Sequence, residues 1–188
     1  DNDDDKEIIL ADRGGKIIAL ESTGEVIFEY LCEEQLFTPV ISDITGDGVP
    51  EIISFGSDNK VVVLNSAGED IPVYPIELSS FSLSEIASAD LDDDGKNEIV
   101  IGTLDGLVYA LNYAGENLPG FPVELNSPVY TAPIILDNLN IAIGTVNNKL
   151  FVIDSLGQVI TEKQLTSRIV SSPIAADFDN DDELEIAV

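Results

Sequence analysis

Short apolar runs recur along the chain at a nearly constant interval, each separated from the next by polar turn residues. Glu7-Ile8-Ile9-Leu10, Glu51-Ile52-Ile53-Ser54, Glu98-Ile99-Val100-Ile101, Asn140-Ile141-Ala142-Ile143 and Glu185-Ile186-Ala187-Val188 align, with first residues 44, 47, 42 and 45 apart. A glycine, at Gly24, Gly68, Gly115 and Gly157, falls 17 residues after the first residue of each of the first four runs. Length therefore varies only in the other part of the repeat, and the constant part is one rigid unit. Within that unit 16–20, 60–64, 107–111 and 149–153 are β-branched or aromatic and bounded by turn residues, which predicts strands. The connectors Arg13-Gly14-Gly15, Asp58-Asn59, Asp105-Gly106 and Asn147-Asn148 supply residues that tolerate positive φ and predict tight hairpins.

The remaining elements complete a four-stranded unit. Segments 71–78 and 118–125 match at the 47-residue offset and carry prolines, which places them outermost, because proline cannot donate to a sheet ladder. Segments 38–43, 85–90, 131–136 and 171–177 are rich in small residues and suit a crowded inner strand. No stretch has useful helical periodicity. Four short strands in each interval predict an all-β chain, a β-propeller of four-stranded antiparallel blades. The repeats run over about 1–37, 38–84, 85–130, 131–170 and a partial 171–188, giving about four blades plus part of another in a single propeller or propeller segment. Both ends fall in the same phase of the repeat and the first residue is not Met, which reads as an excerpt of a larger protein.

The loop between inner strand and next strand carries the candidate chemistry. In Asp90-Leu91-Asp92-Asp93-Asp94-Gly95-Lys96-Asn97-Glu98, carboxylates occupy positions 1, 3, 5 and 9, with glycine at 6 and the Lys96 carbonyl as the position-7 donor. Alternate residues of a tightly turning loop point inward, and hard oxygen donors in this number suit calcium. Asp177, Asp179, Asp181 and Glu185 repeat all four carboxylates, with Asp182 in the glycine place and the Glu183 carbonyl at position 7. In Asp43, Thr45, Asp47, Val49 and Glu51 a neutral threonine replaces the second carboxylate, so weaker binding is expected there. Asp1, Asp3, Asp5 and Glu7 fit the last part of the same loop, an incomplete site. The fourth unit has only Leu136-Asp137-Asn138-Leu139-Asn140 and is expected to be a plain hairpin. An EF-hand reading fails, because the residues where its bidentate Glu would stand are Ser54, Ile101 and Val188, in strands rather than helices. Three registered copies with a ninth-position Glu also argue against merely solvated turns.

The D-x-D-x-D-G-x-x-E-I loop before a strand, the Leu-x-x-x-Gly turn and Gly120-Phe121-Pro122-Val123 resemble FG-GAP/VCBS repeats over essentially the whole chain. That resemblance implies a propeller similar to integrin α-subunit heads, with calcium in loops on one face, in a secreted or cell-surface protein. Thr45, Asp182 and the loop-less fourth unit depart from the pattern.

Charge narrows the functions. The 188 residues hold 36 Asp and Glu against 8 Lys and Arg, a net charge of −28, with no His, Met or Trp. The absence of His removes His-based triads, His-ligated zinc and imidazole bases. The acidity disfavours nucleic acid and anionic membranes and favours cations. At 44% hydrophobic the chain is expected to fold, and no apolar run reaches the ~18 residues of a membrane span, so no membrane insertion is expected. Cys32 is expected to be a small apolar packing residue.

These readings converge on a non-catalytic, calcium-binding module for extracellular protein or glycan recognition or adhesion. At the roughly 10⁻⁴ to 10⁻³ M affinity of extracellular calcium modules, binding matches millimolar calcium. The alternative is the propeller of a secreted enzyme such as a polysaccharide lyase or peptidase, and a purely architectural spacer is a third reading. Tyr74, Tyr113, Phe121 and Tyr130 are types that stack on sugars, but beside turns they pack between blades as readily. Open blade faces at the two ends would be apolar, a surface for self-association.

Overall fold

The computed structural model describes residues 6–169, 171–179 and 184–188. It is all-β, without a helix among the described residues. The first sheet is β1 (Ile8–Ala11), β2 (Lys16–Leu20) and β3 (Val26–Leu31); the second is β4 (Val40–Ser42), β5 (Glu51–Phe55), β6 (Lys60–Leu64) and β7 (Ile76–Glu77). The third is β8 (Ala87–Ala89), β9 (Glu98–Gly102), β10 (Leu107–Leu111) and β11 (Val123–Glu124). The fourth is β12 (Ile134–Ile135), β13 (Ile141–Thr145), β14 (Lys149–Ile153) and β15 (Val159–Gln164), and the fifth is β16 (Ile174–Ala176) with β17 (Glu185–Ala187). Each sheet is an antiparallel meander in chain order, which is the blade construction the repeat predicts.

Two groups of strands are shorter than the sequence suggests, and proline accounts for most of the difference. The segments expected outermost at 71–78 and 118–125 pair over just two residues each in β7 and β11, each directly after a proline, Pro75 or Pro122. The outer strands without such prolines, β3 and β15, run six residues. Pro39, Pro133 and Pro173 likewise stand immediately before β4, β12 and β16 and set where pairing begins.

The turns are as regular as the strands. The repeating glycine has φ 88° at Gly24, 79° at Gly68, 74° at Gly115 and 75° at Gly157, a left-handed conformation that a side chain would strain. Three of these turns are also braced by a side chain three residues earlier: the Oδ1 of Asn65, Asn112 and Asp154 each accepts two backbone N–H bonds across the turn.

The chain comprises two compact units, Asp1–Ser79 and Ser80–Val188. In the first, Ile17 of the first sheet packs with Ile52, Val62 and Leu64 of the second, flanked by Ile9, Ala11, Phe28 and Tyr30. Cys32 is half-buried at the edge of this cluster, a packing residue as expected. In the second unit, Val100, Val108 and Ala110 of the third sheet pack with Ile141, Ile143, Phe151 and Ile153 of the fourth. Both cores follow one rule: one face of a sheet lies on the opposite face of its successor. At Gly102 this approach is so close that an added Cβ would lie 2.3 Å from Val129 Cγ1 and 3.2 Å from Ile143 Cδ1. Gly102→Ala is therefore expected to destabilise by about 2 kcal/mol through overpacking, read as a lowered denaturation midpoint; an unchanged midpoint would show that the two sheets part without cost.

Candidate metal centre

Each acidic loop joins an inner strand to the next strand, so its first carboxylate leaves one strand and its ninth-position Glu opens the following one. Glu51, Glu98 and Glu185 are the first residues of β5, β9 and β17. Their alternation along the strand turns the side chain back beneath the loop, and an Oε2 accepts the N–H of the loop's second residue: Ile44 at 3.0 Å, Leu91 at 2.8 Å and Phe178 at 2.7 Å. Ile44 and Leu91 are buried and anchor their loops to the core. Repetition of an apolar residue at the second position is visible in the sequence, yet its part in holding the ninth-position Glu emerges from the fold alone.

The first Asp of the Asp43 and Asp90 loops acts as an internal cap. Asp90 accepts the N–H of Asp94 on Oδ1 at 3.1 Å and of Gly95 on Oδ2 at 2.9 Å. Asp43 accepts Gly46 at 2.7 Å and Gly48 at 2.8 Å. The turn requires φ of 84° at Gly95 and 85° at Gly48, which explains glycine at position 6.

Carboxylate oxygens of Asp90, Asp92 and Glu98 all lie within 4.8 Å of one another, and those of Asp177, Asp179 and Glu185 do the same. A Ca–O bond of about 2.3–2.6 Å spans half that separation, so each set could hold one cation. Of the remaining sequence-predicted residues, Asp94 lies outside the first set: its Oδ1 accepts the Lys96 N–H at 2.9 Å and its Oδ2 faces Lys96 Nζ at 3.4 Å. Lys96 Nζ also stands 4.2 Å from the Tyr113 ring centre. In the Asp43 loop, Thr45 Oγ1 donates to Asp43 at 3.5 Å, Asp47 accepts the Val49 N–H at 2.8 Å, and Glu51 is buried under the loop. No cluster of three acidic ligands forms there among the described residues. Glu7 Oε1 is buried without a hydrogen-bond partner among the described residues. Asp1, Asp3, Asp5, Asp181, Asp182 and Glu183 lie outside the described residues. The 136–140 segment is a tight turn closed by Leu139 N–H to the Leu136 carbonyl at 2.8 Å.

Burial pushes the Glu98 carboxyl up to about 7, with the Leu91 N–H opposing and Asp92, Asp94 and Asp90 adding repulsion. Burial raises Glu51 as well, against hydrogen bonds from Ile44 and Thr45. For Asp43, desolvation is outweighed by N–H bonds from Gly48, Gly46 and Asp47, and its carboxyl sits below the ordinary value. In the Asp43 and Asp90 loops an aspartate held by backbone donors thus stands beside a glutamate whose burial outweighs its N–H bond, which is the electrostatic state a divalent cation relieves.

Of the aromatic residues, Tyr74 and Phe121 are buried, whereas Tyr113 and Tyr130 are exposed, the latter with Arg168 5.4 Å from its ring centre.

The fold agrees with solved propellers. BamB from Moraxella catarrhalis superposes with a TM-score of 0.70 at 18% identity, over 94% of this chain and 53% of that one. Saccharomyces cerevisiae Sqt1 superposes with a TM-score of 0.76 at 13% identity, over 96% of this chain and 51% of that one. The chain therefore spans about half the length of these structures, and the likeness shows a shared β-propeller fold. No curated protein matches the sequence. Residues 69–185, more than half of the chain, match the lambda-carrageenase β-propeller domain, and the chain belongs to that family.

Proposed function

We propose that this propeller is a non-catalytic, calcium-binding module in which the ion rigidifies acidic loops of the FG-GAP/VCBS type, and that it serves recognition of a protein or glycan outside the cell. The observation that carries the metal reading is the convergence of Asp90, Asp92 and Glu98, repeated by Asp177, Asp179 and Glu185 at the same loop positions. Calcium would supply charge neutralisation and a cross-link between the two strands flanking each loop. Carboxylate oxygens alone form both sets, which favours a hard cation over zinc or copper. The extracellular part rests on affinity: sites of this openness suit the millimolar calcium outside cells.

The family suggests a second reading, that this is the propeller portion of a secreted enzyme acting on a polysaccharide such as carrageenan. Against direct capture of that polyanion by this segment stands its charge of −28. Turnover of carrageenan by the chain would establish the second reading in place of the first.

Metal stoichiometry tests the proposal. Equilibrium dialysis against about 5 mM calcium is expected to leave two strongly held ions per chain, at the Asp90 and Asp177 loops, and Thr45→Asp is expected to add one more by restoring the missing carboxylate. Absence of bound calcium would sink the metal reading, and a count unchanged by Thr45→Asp would sink the account of why the Asp43 loop is weaker.

A further inference from the structure

We draw no further inference here: the strongest candidate, the cavity lined by Lys163, Arg168, Ile169 and Val188 where the segment after β15 meets the end of β17, carries nothing, because the last residue of the chain forms part of its wall and nothing in the structure shows what covers it.

Discussion

Transfer of the protein from EDTA into about 10 mM calcium is expected to raise its thermal midpoint by about 10 °C, with much less from the same concentration of magnesium. Two loops bring three carboxylates within 4.8 Å. If each binds with a dissociation constant of about 10⁻⁴ to 10⁻³ M, mass action contributes about 2 kcal/mol per site. For a chain of this length each kcal/mol moves the midpoint by about 2–4 °C, so the two sites together give the stated rise. Magnesium demands tighter octahedral geometry and keeps its waters, which an open loop of turned backbone cannot replace. Differential scanning calorimetry with the two metals decides the matter: equal shifts would indicate general screening of −28 charges, and no shift would leave the loops as solvated turns.

Glu98→Gln is expected to raise stability without the metal and to reduce what the metal adds. In EDTA the wild-type carboxyl titrates near 7 in the folded state against an ordinary 4.5, because it is buried beneath its loop. The folded state holds its proton more tightly, so the stability linked to Glu98 is complete below pH 4.5 and is lost as pH rises through 7. At pH 8 that loss amounts to about 3 kcal/mol. Glutamine retains an oxygen for the Leu91 N–H and never ionises, so the variant is expected to melt several degrees higher than wild type in EDTA at pH 8 and to lack the decline between pH 4.5 and 7. Calcium narrows the difference: the variant loses one ligand of the Asp90 set and about half of the calcium-dependent gain, the Asp177 set being untouched, so its lead of about 3 kcal/mol falls to about 1 kcal/mol. Glu124→Gln, exposed in β11 and outside every loop, is the control for a lost charge alone. A variant less stable than wild type in EDTA would mean that the fold already compensates the Glu98 charge, leaving nothing for a cation to relieve.

The two experiments separate effects that a single titration would merge. Stabilisation by calcium alone is compatible with screening of a highly acidic chain, whereas a calcium gain halved by Glu98→Gln and untouched by Glu124→Gln requires a buried carboxylate that the metal meets directly. Proteolysis of the apoprotein adds a spatial check. Cleavage confined to the acidic loops in EDTA and suppressed by calcium is expected if the ion ties flanking strands together, and cleavage elsewhere would place the stabilisation outside them.

Much of the protein was legible in its sequence because repetition supplies its own control. Five aligned runs fixed which residues share a sheet position, and the turn residues between them marked the hairpins, with Asn59 and Asn148 adopting the positive φ that their positions imply. The acidic loops were legible for the same reason: carboxylate spacing is a local property, and a glycine at position 6 announces the turn that makes alternate side chains converge. Strand length was less accessible, since Pro75 and Pro122 truncate β7 and β11 through donors they lack. Tertiary structure alone decided what depends on burial. It placed Glu98 beneath its own loop with a raised affinity for protons, turned Asp94 toward Lys96, and set Asp90 and Asp92 within reach of one cation. It also laid the Val100 face of the third sheet on the Ile141 face of the fourth. Periodicity assigns a residue to a face, but whether another sheet lies against that face is a matter of packing between distant segments, and no local pattern encodes it.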